Sequence, residues 1–179
     1  MSFRIERRVL RLALRDPFHI ARESHGAGRE ITTVVVELRD DEGDGPTGLG
    51  EGYPDAYYGE TPETMDAVLP LLVAAVEPLA GRLRGTVEEA RAGLVDAGSA
   101  MDAAIRHHGA AKCALDIALH DLVARRFGIA VHEVLGTSPD APPTDFTIGI
   151  DEPAVVAERA ARAARFPVSA TCPACAAAA

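Results

Sequence analysis

Lysine is almost absent from this chain of 179 residues. Lys112 is the single lysine among 18 basic side chains, and the rest are arginine. Chemistry that passes a proton between two amines is therefore excluded within these residues, because a guanidinium stays protonated throughout the physiological pH range. Tryptophan is missing and aromatics make up 4% of the chain, so Ala, Val and Leu must fill the core within a hydrophobic share of 47%. Cysteine is scarce: Cys113, Cys172 and Cys175 form no disulfide framework and fit a reducing cytoplasm. Excess positive charge is lacking as well, since a net charge of −9 argues against a nucleic-acid partner. Long apolar runs are absent. The most apolar window, residues 68–80, is interrupted by Pro70, Glu77 and Pro78 and is too short to span a bilayer. The opening residues, MSFRIERRV, are charged from the fourth onward and do not read as a signal peptide.

What the chain does have is a clear order of patterns. Residues 3–14 read as an arginine-rich strand ended by Asp16-Pro17, and residues 18–29 as a polar loop. Residues 31–39, ITTVVVELR, are β-branched and give the clearest strand, followed by a turn over 40–46 and a third strand over 47–53. Together these predict a three-stranded antiparallel meander. Helices follow. Thr61 caps the first, with Pro62 at its first position and acids in its first turns. Residues 86–97 read as a second, 98–109 as a small-residue connection, and 110–127 as a long helix whose apolar face comprises Cys113, Ala114, Ile117, Ala118, Ala124 and Phe127. A short helix over 131–135 stops at Gly136. Strands followed by helices make an α+β domain over residues 1–136. A strand over 144–150 and a helix over 153–165, capped by Asp151, then open a β/α repeat. That strand is expected to lack a neighbour, because the tail from residue 169 has no charge and no period.

Several motifs have plain structural explanations. Asp40, Glu42, Asp44, Gly45 and Glu51 approach a calcium-loop spacing, but strands rather than helices flank them, so a solvated hairpin turn is the reading. Gly43, Gly45 and Gly48 satisfy G-x-G-x-x-G, yet the chain continues as strand instead of opening a helix on a phosphate. Asp116 and His120, with Asp121 adjacent, read as a helix-surface hydrogen bond or a contact to the neighbouring layer, since no third metal ligand is visible. His107-His108 reads as solvated, and Cys172-x-x-Cys175 as incidental to an alanine-rich tail.

Four segments carry a family likeness. They are Pro17-Phe18-His19-Ile20-Ala21-Arg22; Gly50-Glu51-Gly52-Tyr53-Pro54 with Tyr58-Gly59-Glu60-Thr61; Ala114-Leu115-Asp116-Ile117-Ala118-Leu119-His120-Asp121-Leu122, with His120 where tryptophan is usual; and residues 144–148. On these the chain resembles the enolase superfamily, in its muconate-lactonizing branch, and within that the L-Ala-D/L-Glu dipeptide epimerases. The resemblance implies an enolase-like N-terminal capping domain over 1–136 and the first β/α unit of an incomplete barrel over 137–168. Residues 169–179 are then a disordered, aberrant tail, left by a lost coding frame near Val168 or a truncated gene.

The implied activity is that of an isomerase: Mg²⁺-dependent epimerisation of a small acidic dipeptide by proton transfer at the α-carbon. Mg²⁺ belongs to the full-length family, and none is expected on this chain. The resemblance admits a homo-oligomer and points to no membrane. It carries over Arg22 and Thr147 as substrate-binding residues, with His19, His25 and Tyr58 as neighbours, and no catalytic or metal-binding residue. The family's Lys-x-Lys strand is occupied here by Ser169, Ala170, Thr171 and Cys172, and Lys112 lies on a capping-domain helix. The chain alone is therefore expected to be inactive. The alternatives are a muconate cycloisomerase, an o-succinylbenzoate synthase, an acid-sugar dehydratase or a non-catalytic α+β interaction module.

Overall fold

The computed structural model describes residues 2–16, 18–20, 23–25, 30–40, 45–140, 144–164 and 168–171. In chain order its strands and helices begin with β1 (Phe3–Ala13), β2 (Phe18–Ile20), β3 (Glu23–His25), β4 (Glu30–Asp40) and β5 (Thr47–Gly52). Then come α1 (Pro62–Val76), α2 (Val87–Ala104), α3 (Gly109–Phe127), α4 (Val131–Leu135), β6 (Thr144–Thr147), α5 (Pro153–Ala163) and β7 (Val168–Thr171). The chain divides into two units, residues 1–11 with 32–139 and residues 12–31 with 140–179.

The first unit is the α+β domain expected: a three-stranded sheet in the order β1-β4-β5, covered by helices. Strand β4 alternates as its sequence requires. Val34, Val36 and Leu38 are fully buried and meet Met65, Leu69 and Leu72 of α1 and Leu115, Leu119 and Leu122 of α3 in one core. Their antiparallel partners on β5 are Gly52, Gly50 and Gly48. These three glycines leave a trough in the sheet, and α3 lies in it. A Cβ on Gly48, Gly50 or Gly52 would stand 2.0, 1.9 or 2.3 Å from the backbone carbonyl oxygen of Ala118, Ala114 or Ala110 respectively. The match is geometric. Four helical residues advance about 6.0 Å, and two strand residues about 6.7 Å, so a glycine at every second strand position meets an alanine at every fourth helix position.

Local chemistry fixes the helix ends. Thr61 and Thr64 cap α1 reciprocally, each backbone N–H donating to the other's hydroxyl (2.8 and 3.2 Å). Thr86 and Glu89 do the same for α2, and the Thr86 backbone N–H and hydroxyl hold the Glu89 carboxyl below its usual range. Gly128 and Gly136 end α3 and α4 in the left-handed conformation. Helix α3 has no cap of its own: His108 precedes it with no side-chain bond. The buried Glu60 carboxylate caps it from afar, accepting the Ala110 N–H at 2.8 Å. His107 and His108 have φ of 63° and 56°, a left-handed strain for residues with a Cβ. His108→Gly should raise the unfolding free energy by about 0.5–1 kcal/mol, strain relief net of glycine's greater backbone entropy. The midpoint of urea unfolding measures it.

Four expectations need correction here. Helix α2 runs on to Ala104 through the supposed connection, because Leu94, Ala97 and Met101 extend its buried face. On α3, Cys113 and Ile117 are exposed, whereas Ala114, Ala118 and Ala124 of the expected face are buried and are joined by Ala111, Leu115, Leu119, Leu122 and Val123. The polar stretch after Pro17 contains an antiparallel hairpin, β2 with β3, pairing Phe18 with His25 and Ile20 with Glu23. Helix α5 is preceded by Glu152 without a side-chain cap. Asp151 instead accepts from the Glu152 N–H (2.9 Å) and pairs with Arg159 (3.0 Å).

The second unit also departs from the sequence reading. Strand β6 does have a neighbour: β7 pairs with it in parallel, Thr144 opposite Val168 and Thr147 opposite Thr171. A parallel pair joined by a helix is a βαβ crossover, so a second barrel-type strand forms along Val168–Thr171 despite its loss of charge.

Candidate functional site

The second unit holds two of the four segments that carried the likeness, the described part of 17–22 and residues 144–148. The Ile150 N–H donates to the His19 carbonyl at 2.8 Å, and Gly149 lies so close that a Cβ there would stand 2.9 Å from the His19 nitrogen. The hairpin is thereby seated on the chain that leaves β6. Beside it opens a hollow of about 410 Å³. Phe18, Phe146 and Ile148 give it apolar walls, and Thr147, predicted as a substrate contact, lines it with an exposed side chain. Arg22 lies outside the described residues. His19 and His25 belong to the hairpin, whereas Tyr58 sits in the first unit, edge-on to Tyr57 at 5.0 Å.

Arginines complete the lining. Arg162 is 3.4 Å from Asp16, Arg159 pairs with Asp151, and Arg15 lies at the rim. The sequence reading missed these. Arg159 and Arg162, three apart on a helix with Ala163, were its available signal. Such a surface can hold a carboxylate by paired N–H donors. Its guanidinium groups stay protonated and supply no base. The single lysine is elsewhere: Lys112 Nζ, on α3, is 2.7 Å from Asp102 in the first unit.

The other motifs resolve plainly. His120 Nδ1 lies 2.9 Å from the Asp116 carbonyl oxygen and so carries the proton, as a helix-surface hydrogen bond requires. Asp121 Oδ2 accepts from the Leu49 N–H and from Arg125 Nε, both at 2.8 Å. Asp40 is bound by Arg84 and Arg126, and Glu51 accepts from the Thr33 hydroxyl at 2.8 Å, so two of the five calcium-loop residues have other partners. Among the described residues no three acidic, imidazole or thiol side chains converge. A Mg²⁺ ion needs an octahedral oxygen set. The described residues offer no such set. Nor, among the described residues, is any helix long and apolar enough to cross a membrane.

Known proteins match along most of the chain. Residues 4–136 match the mandelate racemase/muconate lactonizing enzyme N-terminal domain. An L-Lys-D/L-Arg epimerase of Methylococcus capsulatus is 36% identical over 153 residues, which is 82% of this chain and 37% of that protein. An L-Ala-D/L-Glu epimerase of Bacteroides thetaiotaomicron is 35% identical over 146 residues, 81% of this chain and 34% of its own length. The solved structure of a dipeptide epimerase from Enterococcus faecalis V583, complexed with Mg and the dipeptide L-Leu-L-Tyr, matches with a TM-score of 0.74 at 26% identity. That match covers 96% of this chain and 45% of that one. The chain thus spans little more than a third of the length of the two epimerases above. Matched by that family model over residues 4–136, the chain belongs to the mandelate racemase/muconate lactonizing enzyme family of the enolase superfamily, through its N-terminal domain.

Proposed function

We propose that this polypeptide supplies the cap, residues 1–136, and the first β/α unit, residues 137–168, of a cytoplasmic dipeptide epimerase. The reaction is a 1,1-proton transfer at the α-carbon of a small acidic dipeptide of the L-Ala-D/L-Glu type. Magnesium is the metal of the full-length family, and these residues alone do not turn substrate over. The observation that supports this reading is the seating of the β2–β3 hairpin against the chain leaving β6. The described strand before Arg22, Phe18–Ile20, belongs to the same unit as Thr147. In this reading the Arg22 guanidinium clamps the substrate's side-chain carboxylate by two parallel N–H bonds, and Thr147 orients its backbone.

The chemistry left undone is as specific. Epimerisation needs an acid and a base on opposite faces of the carbon. Along β7, Val168–Thr171, the chain presents no lysine. A chimera tests the reading. Residues 1–150 of this chain replace the corresponding segment of the Bacteroides thetaiotaomicron L-Ala-D/L-Glu epimerase, whose barrel then supplies the missing groups. The chimera should epimerise L-Ala-L-Glu. Arg22→Met in it should lower kcat/KM by about tenfold to a hundredfold, as expected for losing a charge-assisted pair. Unchanged kcat/KM in the Arg22→Met chimera would exclude Arg22 from substrate binding.

A further inference from the structure

Two guanidinium groups of the first unit share one carboxylate. Asp40, at the end of β4, accepts Arg84 and Arg126, whose side chains are only 16% and 19% exposed. Arg125, next to Arg126 on α3, reaches the same hollow of about 340 Å³, and Gly45 and Pro46 complete its lining. That volume suits a small ligand. Charge does not balance here. Three guanidinium groups meet two carboxylates, Asp40 and Asp121, which leaves positive charge in excess within a chain of net charge −9. Donors do not balance either. Among the described residues Arg126 gives Nη2 to Asp40 and Arg125 gives Nε to Asp121, so most N–H groups of both forks meet no protein acceptor. One of them, the Arg126 Nε, is buried. A buried donor without an acceptor is rare in folded proteins and marks a place for a bound species.

We propose that this hollow binds a phosphate group, with Arg125 and Arg126 of α3 and Arg84 of the segment between α1 and α2 around it. Geometry selects phosphate over carboxylate. Consecutive positions on a helix point about 100° apart, and Arg84 arrives from a different segment. Three planar forks so placed do not share the single plane of a carboxylate, whereas a tetrahedral oxyanion presents oxygens in several directions. The anion would neutralise the excess charge and give the Arg126 Nε its acceptor. It would also offset the burial that pushes Arg84 and Arg126 below their ordinary pKa. Basic residues in the last turn of a helix answer its dipole as well. That role alone would hold Arg125 and Arg126 in place but would not discriminate between anions.

An NMR titration of the full chain with inorganic phosphate tests this, read at backbone amide and arginine Nε–H signals, with ionic strength held constant by chloride. The wild type should bind with a dissociation constant of about 1 mM, the Arg126 Nε–H signal should shift, and acetate should bind at least about tenfold more weakly. Methyl phosphate identifies the source: binding as tight as that of the free ion assigns the site to phosphomonoesters, and weaker binding assigns it to inorganic phosphate. Arg126→Met and Arg125→Met should each raise the dissociation constant at least about tenfold, as expected for losing a charge-assisted bond. Arg11→Met removes the same charge from the exposed face of β1 and should change nothing. The Arg125 side chain is 52% exposed, so its variant stands even if Arg126→Met misfolds. A wild type without phosphate-dependent shifts would overturn the proposal and leave the arginines to the chain's own carboxylates. So would an equal response to acetate, or binding untouched by the Arg125 and Arg126 variants.

Discussion

Gly50→Ala is expected to destabilise the chain by about 3 kcal/mol, at the upper end for overpacking. The added methyl would fall 1.9 Å from the Ala114 carbonyl oxygen and 2.7 Å from the Ala118 nitrogen. Both are helix backbone, so no side chain can swing aside. Relief requires α3 to lift off the sheet, and α3 carries eight buried residues. Such a loss is a large share of the roughly 5–15 kcal/mol that holds a domain together. Gly98→Ala is the control. Nothing lies within 4 Å of its Cβ, and it sits inside α2, so alanine there should stabilise by about 0.5–1 kcal/mol. Urea unfolding monitored by circular dichroism should move the two midpoints in opposite directions. A Gly50→Ala midpoint equal to wild type would mean that α3 does not rest on the glycine trough.

Asp40→Asn should cost about 3–5 kcal/mol, the effect of removing one member of a buried ionic cluster. The buried Asp40 carboxylate, at the end of β4, accepts Arg84 Nε at 2.6 Å and Arg126 Nη2 at 2.7 Å. It is the group that lets two guanidinium charges lie together. Burial pushes both arginines below their ordinary pKa, and the Arg126 charge adds to the effect on Arg84. Without the carboxylate these like charges face each other in a poorly hydrated site. Arg126→Met should be far milder, about 1 kcal/mol or less. Among the described residues the buried Arg126 Nε has no hydrogen-bond partner, so part of its desolvation is uncompensated already. Equal costs for the two substitutions would contradict this division of roles.

Much of the first unit was legible because its signals are local. The β-branched run of β4, the Thr61-Pro62 start of α1 and the glycines closing α3 and α4 each act within a few residues. What was missed depends on distance in the chain. The alternating glycines of β5 gain meaning only beside the alanines spaced by four on α3, sixty or so residues later. A glycine triplet and an alanine stripe, read together, would have revealed the trough. The rotation of α3's buried face has the same cause: Cys113 and Ile117 are apolar, but the glycines select the alanine side. Asp40 read as a turn residue because its arginines are 44 and 86 positions away. In the second unit, β7 was obscured by an alanine-rich composition, although backbone pairing with β6 needs no particular side chains. Thr147, expected from a motif, lines the hollow with Phe18 and Phe146 of the same motif segments, whereas the neighbouring Arg159 and Arg162 carried no motif.

The most direct test of the central claim is α-proton exchange. The purified 179-residue chain is incubated with L-Ala-L-Glu and Mg²⁺ in deuterium oxide, and the α-proton signals are followed by NMR. No deuterium should enter either α-carbon above the buffer rate, because guanidinium groups supply no base and the one lysine, Lys112, lies on α3 paired with Asp102. Incorporation that scales with protein concentration would contradict the account and place a proton-transferring pair within these residues.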